Sequence, residues 1–166
     1  MQKAEFWIES FQLAPHPEGG YYRETYRSEG LYSFTGATPF NGLRSYATAI
    51  YYLLKGRDRS RLHRIHSDEL WFFHAGDPLT VHFFPVNGEP SSFTLGLAPG
   101  KGQVIQGVVP RESWFGASLA TPEDESYALV SCVVAPGFDF RDFAFADRNT
   151  LQQQFPMHTE IIEHLT

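Results

Sequence analysis

Two imidazoles and two carboxylates fall within seven residues: His63, His66, Asp68 and Glu69. Groups of these types bind divalent metal ions or exchange protons near neutral pH, and spacing decides which. On a single helix, His63, His66 and Glu69 would roughly share a face. The neighbouring runs argue for strands instead, with Tyr51-Tyr52-Leu53-Leu54 before, Trp71-Phe72-Phe73 after, and Ser67-Asp68 of turn character between. The period of two then sends His63 and Ile65 to one side, and Glu69, Trp71 and Phe73 together from the next strand. His66 is left in the turn or on the opposite face. His63 and Glu69 are therefore the candidate catalytic pair, projecting into one cavity. A carboxylate among Trp71 and Phe73 is costly to bury unless partnered, and such sites often have displaced pKa values. Its ordinary alternative is a structural salt bridge to Arg23 or Arg44.

The elements that must hold this pair are short. Phe6, Trp7, Ile8 and Phe11 have near-helical spacing, which predicts a helix over residues 4–13, ended by Pro15. From there to about Pro136 the pattern is strand-like runs broken by Gly, Pro, Asn and Asp, the clearest at 21–26, 46–54, 69–74, 79–85, 92–97, 104–109 and 127–134. Asn87-Gly88 suits a tight hairpin turn. Glu18-Gly19-Gly20 reads as a tight bend that opens a strand, and Asp139 and Asp142 as a strand exit. Helical spacing returns at 151–155 and 159–165. Seven or more such strands predict a mainly β sandwich or barrel with short terminal helices. No repeat or linker interrupts the 166 residues, so one domain spanning 1–166 is expected.

Composition narrows the function classes. Hydrophobic residues make up 42% and charged residues 19%, which suits a folded globular chain. Aromatics, at 16%, fit half-buried pleated surfaces. A net charge of −6 argues against a nucleic-acid binder. Arg57, Arg59, Arg61 and Arg64 crowd together as a solvated loop, with an anion-binding rim as the alternative. Cys132 is the only cysteine, which rules out an intrachain disulfide, and its apolar setting suggests a buried structural thiol. No leader-like run or apolar stretch of membrane-spanning length is present, so a cytoplasmic location is expected, with no membrane partner.

Gly56, His63, Glu69 and Gly76 fall in the order of the first cupin motif, with Ile65 at its second His. The stretch around Pro110 resembles the second motif, with Glu112 at its Gly and Phe115 at its His. Three further runs, 15–28, 68–77 and 134–140, resemble a cupin branch known only as a domain of unknown function, and the match covers nearly the whole chain. The resemblance implies a double-stranded β-helix, or jelly-roll, barrel. Of the metal ligands typical of cupins it transfers only His63 and Glu69, so no metal and no cofactor are expected. Arg61-Leu62-His63 is similar to a run in the metal-free cupins that epimerise nucleotide-linked deoxysugars. That similarity implies His63 as a base, Arg61 or Arg23 pairing with an anionic ligand group, and Tyr51 as a candidate phenol.

Trp71, Phe73 and Phe115 are candidates to line the cavity and bind ligand, with core packing as the alternative, whereas Trp114, of opposite parity, belongs to outer packing or a subunit contact. The leading reading is a metal-independent barrel that binds a small polar ligand, carbohydrate-like or nucleotide-sugar-like, and isomerises or epimerises it. The alternatives are a metal-dependent oxygenase or isomerase using His63, Glu69 and a third ligand such as His66, and a non-catalytic ligand-binding or scaffold protein. Cupins commonly pair, so a homodimer is expected by resemblance.

Overall fold

The structure, a computed structural model, describes residues 2–166; Met1, which begins the stretch read above for a leader, lies outside the described residues. One antiparallel sheet runs, in spatial order, β1 (Ala14–Pro15), β2 (Tyr21–Arg27), β5 (Thr48–Lys55), β13 (Tyr127–Ala135), β7 (Asp68–Gly76) and β11 (Gln106–Val109). The other runs β10 (Gln103–Val104), β9 (Ser91–Leu95), β8 (Leu79–Phe84), β12 (Trp114–Leu119), β6 (Arg59–Arg64) and β14 (Ala144–Phe145). A separate hairpin joins β3 (Leu31–Ser33) to β4 (Leu43–Ser45). Consecutive strands β5, β6, β7 and β8 alternate between the two sheets, which makes the fold a jelly roll.

The main core lies between the sheets because alternate residues of each strand point inward. Trp71, Phe73, Val130 and Cys132 come from one sheet, and Val81, Phe115, Ala117 and Leu119 from the other. Burying a large apolar side chain of this kind contributes about 1.5–3 kcal/mol. Two smaller clusters cover the outer faces. The helix α1 (Ala4–Ser10) packs on Leu53, Tyr127 and Leu129, and the Trp7 indole donates to the Tyr127 hydroxyl at 3.0 Å. The helices α2 (Arg148–Gln154) and α3 (Thr159–Leu165) pack Leu151, Ile162 and Leu165 on Leu62 and Phe84. Among the described residues no helix is long and apolar enough to cross a membrane.

The first helix stops short of Leu13 because Gln12 turns to a φ of 52° and the Leu13 amide reaches back to the Ile8 carbonyl. Asn87-Gly88 is not a two-residue turn: β8 and β9 are separated by the longer run 85–90, in which Pro85 supplies no amide donor. The strand β6 was not legible as a run because Arg59 and Arg61 point to solvent while Ser60, Leu62 and His63 are buried. Asp147 caps α2, accepting from the Thr150 amide at 2.9 Å and from its hydroxyl at 2.6 Å. Asp147→Ala is expected to lower stability by about 1 kcal/mol in urea denaturation. An unchanged midpoint would mean that the Asp147 hydrogen bonds contribute nothing to stability.

Candidate functional site

One cavity of about 330 Å³ opens between the sheets, and His63 and Glu69 both line it. They enter from opposite walls. On β6, His63 lies across from Phe115 and Phe145, whereas Glu69 on β7 lies across from Val109 and Val134. The imidazole is wedged between the Phe115 ring at 4.1 Å and the Phe143 ring at 5.1 Å, with 3% of the residue exposed.

A third wall comes from the bend after β1, which brings in His16 and Glu18. The Arg61 amide donates to the Glu18 carbonyl at 2.9 Å, and the buried Tyr52 hydroxyl donates to the Gly19 carbonyl at 2.7 Å. These bonds tie the bend to both sheets. The Glu18 carboxyl is thereby held inside, accepting from the Ser60 hydroxyl at 3.0 Å and lying 3.0 Å from His63 Nε2.

The protonation of this pair follows from its surroundings. Burial pushes the His63 pKa down to about 4, against a smaller opposing effect of the Arg61 carbonyl. Burial pushes Glu18 up, offset in part by His16 and by hydrogen bonds from Ser60 and Tyr52. Both shifts favour the neutral forms, and the Glu18 carboxyl faces His63 Nε2 at 3.0 Å. The other imidazole nitrogen, Nδ1, donates to the Arg61 carbonyl at 2.7 Å, which fixes the tautomer. Each nitrogen of His63 thus lies beside an oxygen, the Arg61 carbonyl on one side and the Glu18 carboxyl on the other. His16 is also lowered by burial, and its Nδ1 accepts from the Glu18 amide at 3.2 Å, leaving its proton on Nε2.

Glu69 stands apart. Burial, and after it the nearby Glu18, push its pKa up to about 8, with the Cys132 thiol opposing weakly. Arg44 does not pair with it, because that guanidinium is committed to Asp142 at 2.7 Å. Tyr22, Ile50, Val134, Phe138 and Phe140 form the apolar walls, and Glu24, Arg27 and Asp139 stand at the more exposed end.

The other six residues expected to bind ligand do not line this cavity. Tyr22 and Ile50 face inward, so their neighbours Arg23 and Tyr51 face outward. There Arg23 donates to the Phe11 carbonyl at 3.1 Å and Tyr51 stacks on the Phe11 ring at 4.7 Å. Arg61 is exposed, with its guanidinium 4.4 Å from the Phe145 ring centroid. Trp71, Phe73 and Phe115 point inward but are consumed by core packing. Trp114 packs outward under the guanidinium of Arg64 at 4.5 Å and beside the carboxy-terminal helices. His66 bonds Glu112 at 2.7 Å, and His74 lies 2.8 Å from the Ser131 hydroxyl; neither lines the cavity.

A resident metal ion does not fit these residues. The cupin ligand positions held by Ile65 and Phe115 are packed into the apolar core, and His63 is spent on Glu18 and the Arg61 carbonyl. Among the described residues, no group of three or more His, Cys, Asp or Glu is placed to hold a metal.

A family model described as cupin superfamily (DUF985) matches residues 5–146. The chain belongs to this cupin family. An uncharacterised Saccharomyces cerevisiae protein, YML079W, is 36% identical to the cupin described above, over 83% of this chain and 72% of that protein. A hypothetical protein from Leishmania major is 36% identical with a TM-score of 0.90, covering 99% of both chains. Protein SO0799 from Shewanella oneidensis, also 36% identical, has a TM-score of 0.85 over 100% of this cupin and 98% of that chain. A formate complex of Lactobacillus farciminis oxalate decarboxylase, at 14% identity and a TM-score of 0.54, shares the fold alone.

Proposed function

We propose that this cupin binds a small polar, carbohydrate-like ligand inside its barrel and moves a proton on it, as a metal-independent isomerase or epimerase. The observation that carries the reading is the buried Glu18–His63 pair in a cavity whose opposite wall presents Glu69 and whose sides are aromatic. Glu18 and His63, 3.0 Å apart, act together as the base. When the carbon beside a ligand carbonyl gives up its proton, the pair takes it and gains one unit of positive charge, and the ligand becomes an enolate. Return of the proton to the opposite face of the same carbon epimerises the ligand; return to the former carbonyl carbon, with the donor carbon's hydroxyl proton passing to the enolate oxygen, isomerises it. Glu69 holds the ligand's polar group across the cavity, and the Tyr22, Phe138 and Phe140 rings cover its apolar face.

The reading is tested by incubating the protein in D2O with a panel of aldoses, ketoses and amino sugars. Deuterium is expected to enter at the carbon beside the carbonyl. His63→Ala and Glu18→Gln are each expected to slow its entry at least ~100-fold, the size of a lost acid–base group. Proton NMR reads the exchange. If no compound exchanges faster with protein than without it, or if both variants exchange like the parent, the proton-transfer reading is wrong.

A further inference from the structure

We propose that the ligand of this barrel carries a protonated amine, seated against Glu69 and the aromatic walls. The proposal rests on the cavity being the ligand site and adds the ligand's charge class. Its starting point is an imbalance. Four carboxyl groups line the cavity, Glu18, Glu24, Glu69 and Asp139, against one guanidinium, Arg27. That guanidinium is already taken, because Glu24 grips it at 2.9 and 2.7 Å and it donates further to the Phe138 carbonyl. Asp139 is matched from outside the cavity by Arg141 at 2.7 Å. Glu18 is satisfied by Ser60 and His63. Both imidazoles are held neutral by burial.

Glu69 is what remains. It is more than nine-tenths buried, lines the cavity, and has no cation and no strong hydrogen-bond donor among the described residues. The groups that face it are the Cys132 thiol on β13 and, more distantly, the Glu18 carboxyl from the bend. A buried carboxyl left in this state is costly, and a donor cation brought by a ligand relieves that cost. Among the described residues that line the cavity, an anion finds no free cation to meet it, and no group of three is placed to hold a divalent ion. An ammonium needs only the carboxylate and ring faces within about 6 Å, and Tyr22, Phe138 and Phe140 supply rings in the same cavity. Docking the amine makes Glu69 a carboxylate, so the carboxyl proton leaves to solvent as the ligand binds. Affinity should therefore strengthen as pH rises from 6 to 8.

Benzylamine, benzyl alcohol and benzoate, nearly equal in size and differing in charge, are suitable probes for isothermal titration calorimetry of the full-length protein. The amine is expected to bind at least tenfold more tightly than the alcohol at pH 8, and benzoate not to bind. Amine binding at pH 6 is expected to release close to one proton, read by comparing buffers of different ionisation enthalpy. Glu69→Gln is expected to remove at least tenfold of the amine affinity and none of the alcohol's. Equal affinity of alcohol and amine, without proton release from the parent protein, overturns the charge assignment and leaves the cavity as a ligand site. Binding of none of the three overturns both.

Discussion

Gly19→Ala is expected to lose roughly 3–5 kcal/mol of folding free energy and to open the wall that carries Glu18. Gly19 sits at a φ of +113°, and a Cβ there would stand 2.1 Å from the Arg59 carbonyl oxygen. A non-glycine residue in that backbone region costs about 1–3 kcal/mol, and the forced overlap costs a similar amount. The overlapped atom cannot swing away, because it belongs to the backbone of β6, which is paired with β12 at this residue. The bend must lift instead, which breaks the Tyr52 bond to the Gly19 carbonyl and withdraws Glu18 from His63. Urea denaturation measures the loss. Gly100→Ala, whose Cβ would meet nothing within 4 Å, is the control and should shift stability by less than ~1 kcal/mol. A loss for Gly19→Ala no larger than the control's would mean that the bend is not wedged between the sheets.

Glu69 was legible in the sequence because it alternates with Trp71 and Phe73 on one strand, and His63 because Ile65, two residues on, is apolar, although the strand that holds it alternates with Arg59 and Arg61. The jelly roll was legible for the same reason, repeated over many strands. His16 and Glu18 were not, because what brings them in is contact with β5 and β6, more than thirty residues away in the chain, through the Tyr52 hydroxyl and the Arg61 amide. Only the Glu18-Gly19-Gly20 run hinted at them: two glycines beside a carboxylate mark a place where backbones approach closely.

The misplaced Arg23 and Tyr51 have a different cause. Tyr21–Arg27 is polar and aromatic on both faces, so its own pattern leaves parity open, and the register of Tyr22 against Tyr52 decides it. A bulge between Glu24 and Tyr26 then switches the parity, which is why Tyr22, Glu24 and Arg27 all line the cavity despite their odd spacing. Trp71, Phe73 and Phe115 were given the correct face, and of the two tasks open to them the structure shows core packing. Periodicity tells inside from outside, and only packing tells which inward side chains meet each other and which meet a void.

The second large effect concerns pH. In the unfolded chain Glu69 loses its proton near the ordinary value of 4.5, whereas in the folded chain it keeps it until about 8. Between those values the folded state binds more protons, so stability falls as pH rises, by up to about 1.4 kcal/mol per pH unit from this one group. His63 acts with the opposite sign. Its folded pKa of about 4 lies below the ordinary 6.5, so stability rises with pH across that interval. The two nearly cancel from about 4.5 to 6.5, and above 6.5 Glu69 acts without that opposition. Stability of the ligand-free protein should therefore decline between pH 6.5 and 8. Glutamine has the shape of a protonated glutamate and no proton to lose, so Glu69→Gln should flatten that decline. Urea midpoints measured from pH 5 to 9 should show the variant close to the parent at pH 5 and clearly more stable at pH 8.5. Parallel curves would mean that Glu69 is ionised in the folded protein at neutral pH, and the buried, uncompensated carboxyl on which both the anchoring role and the amine ligand depend would not exist.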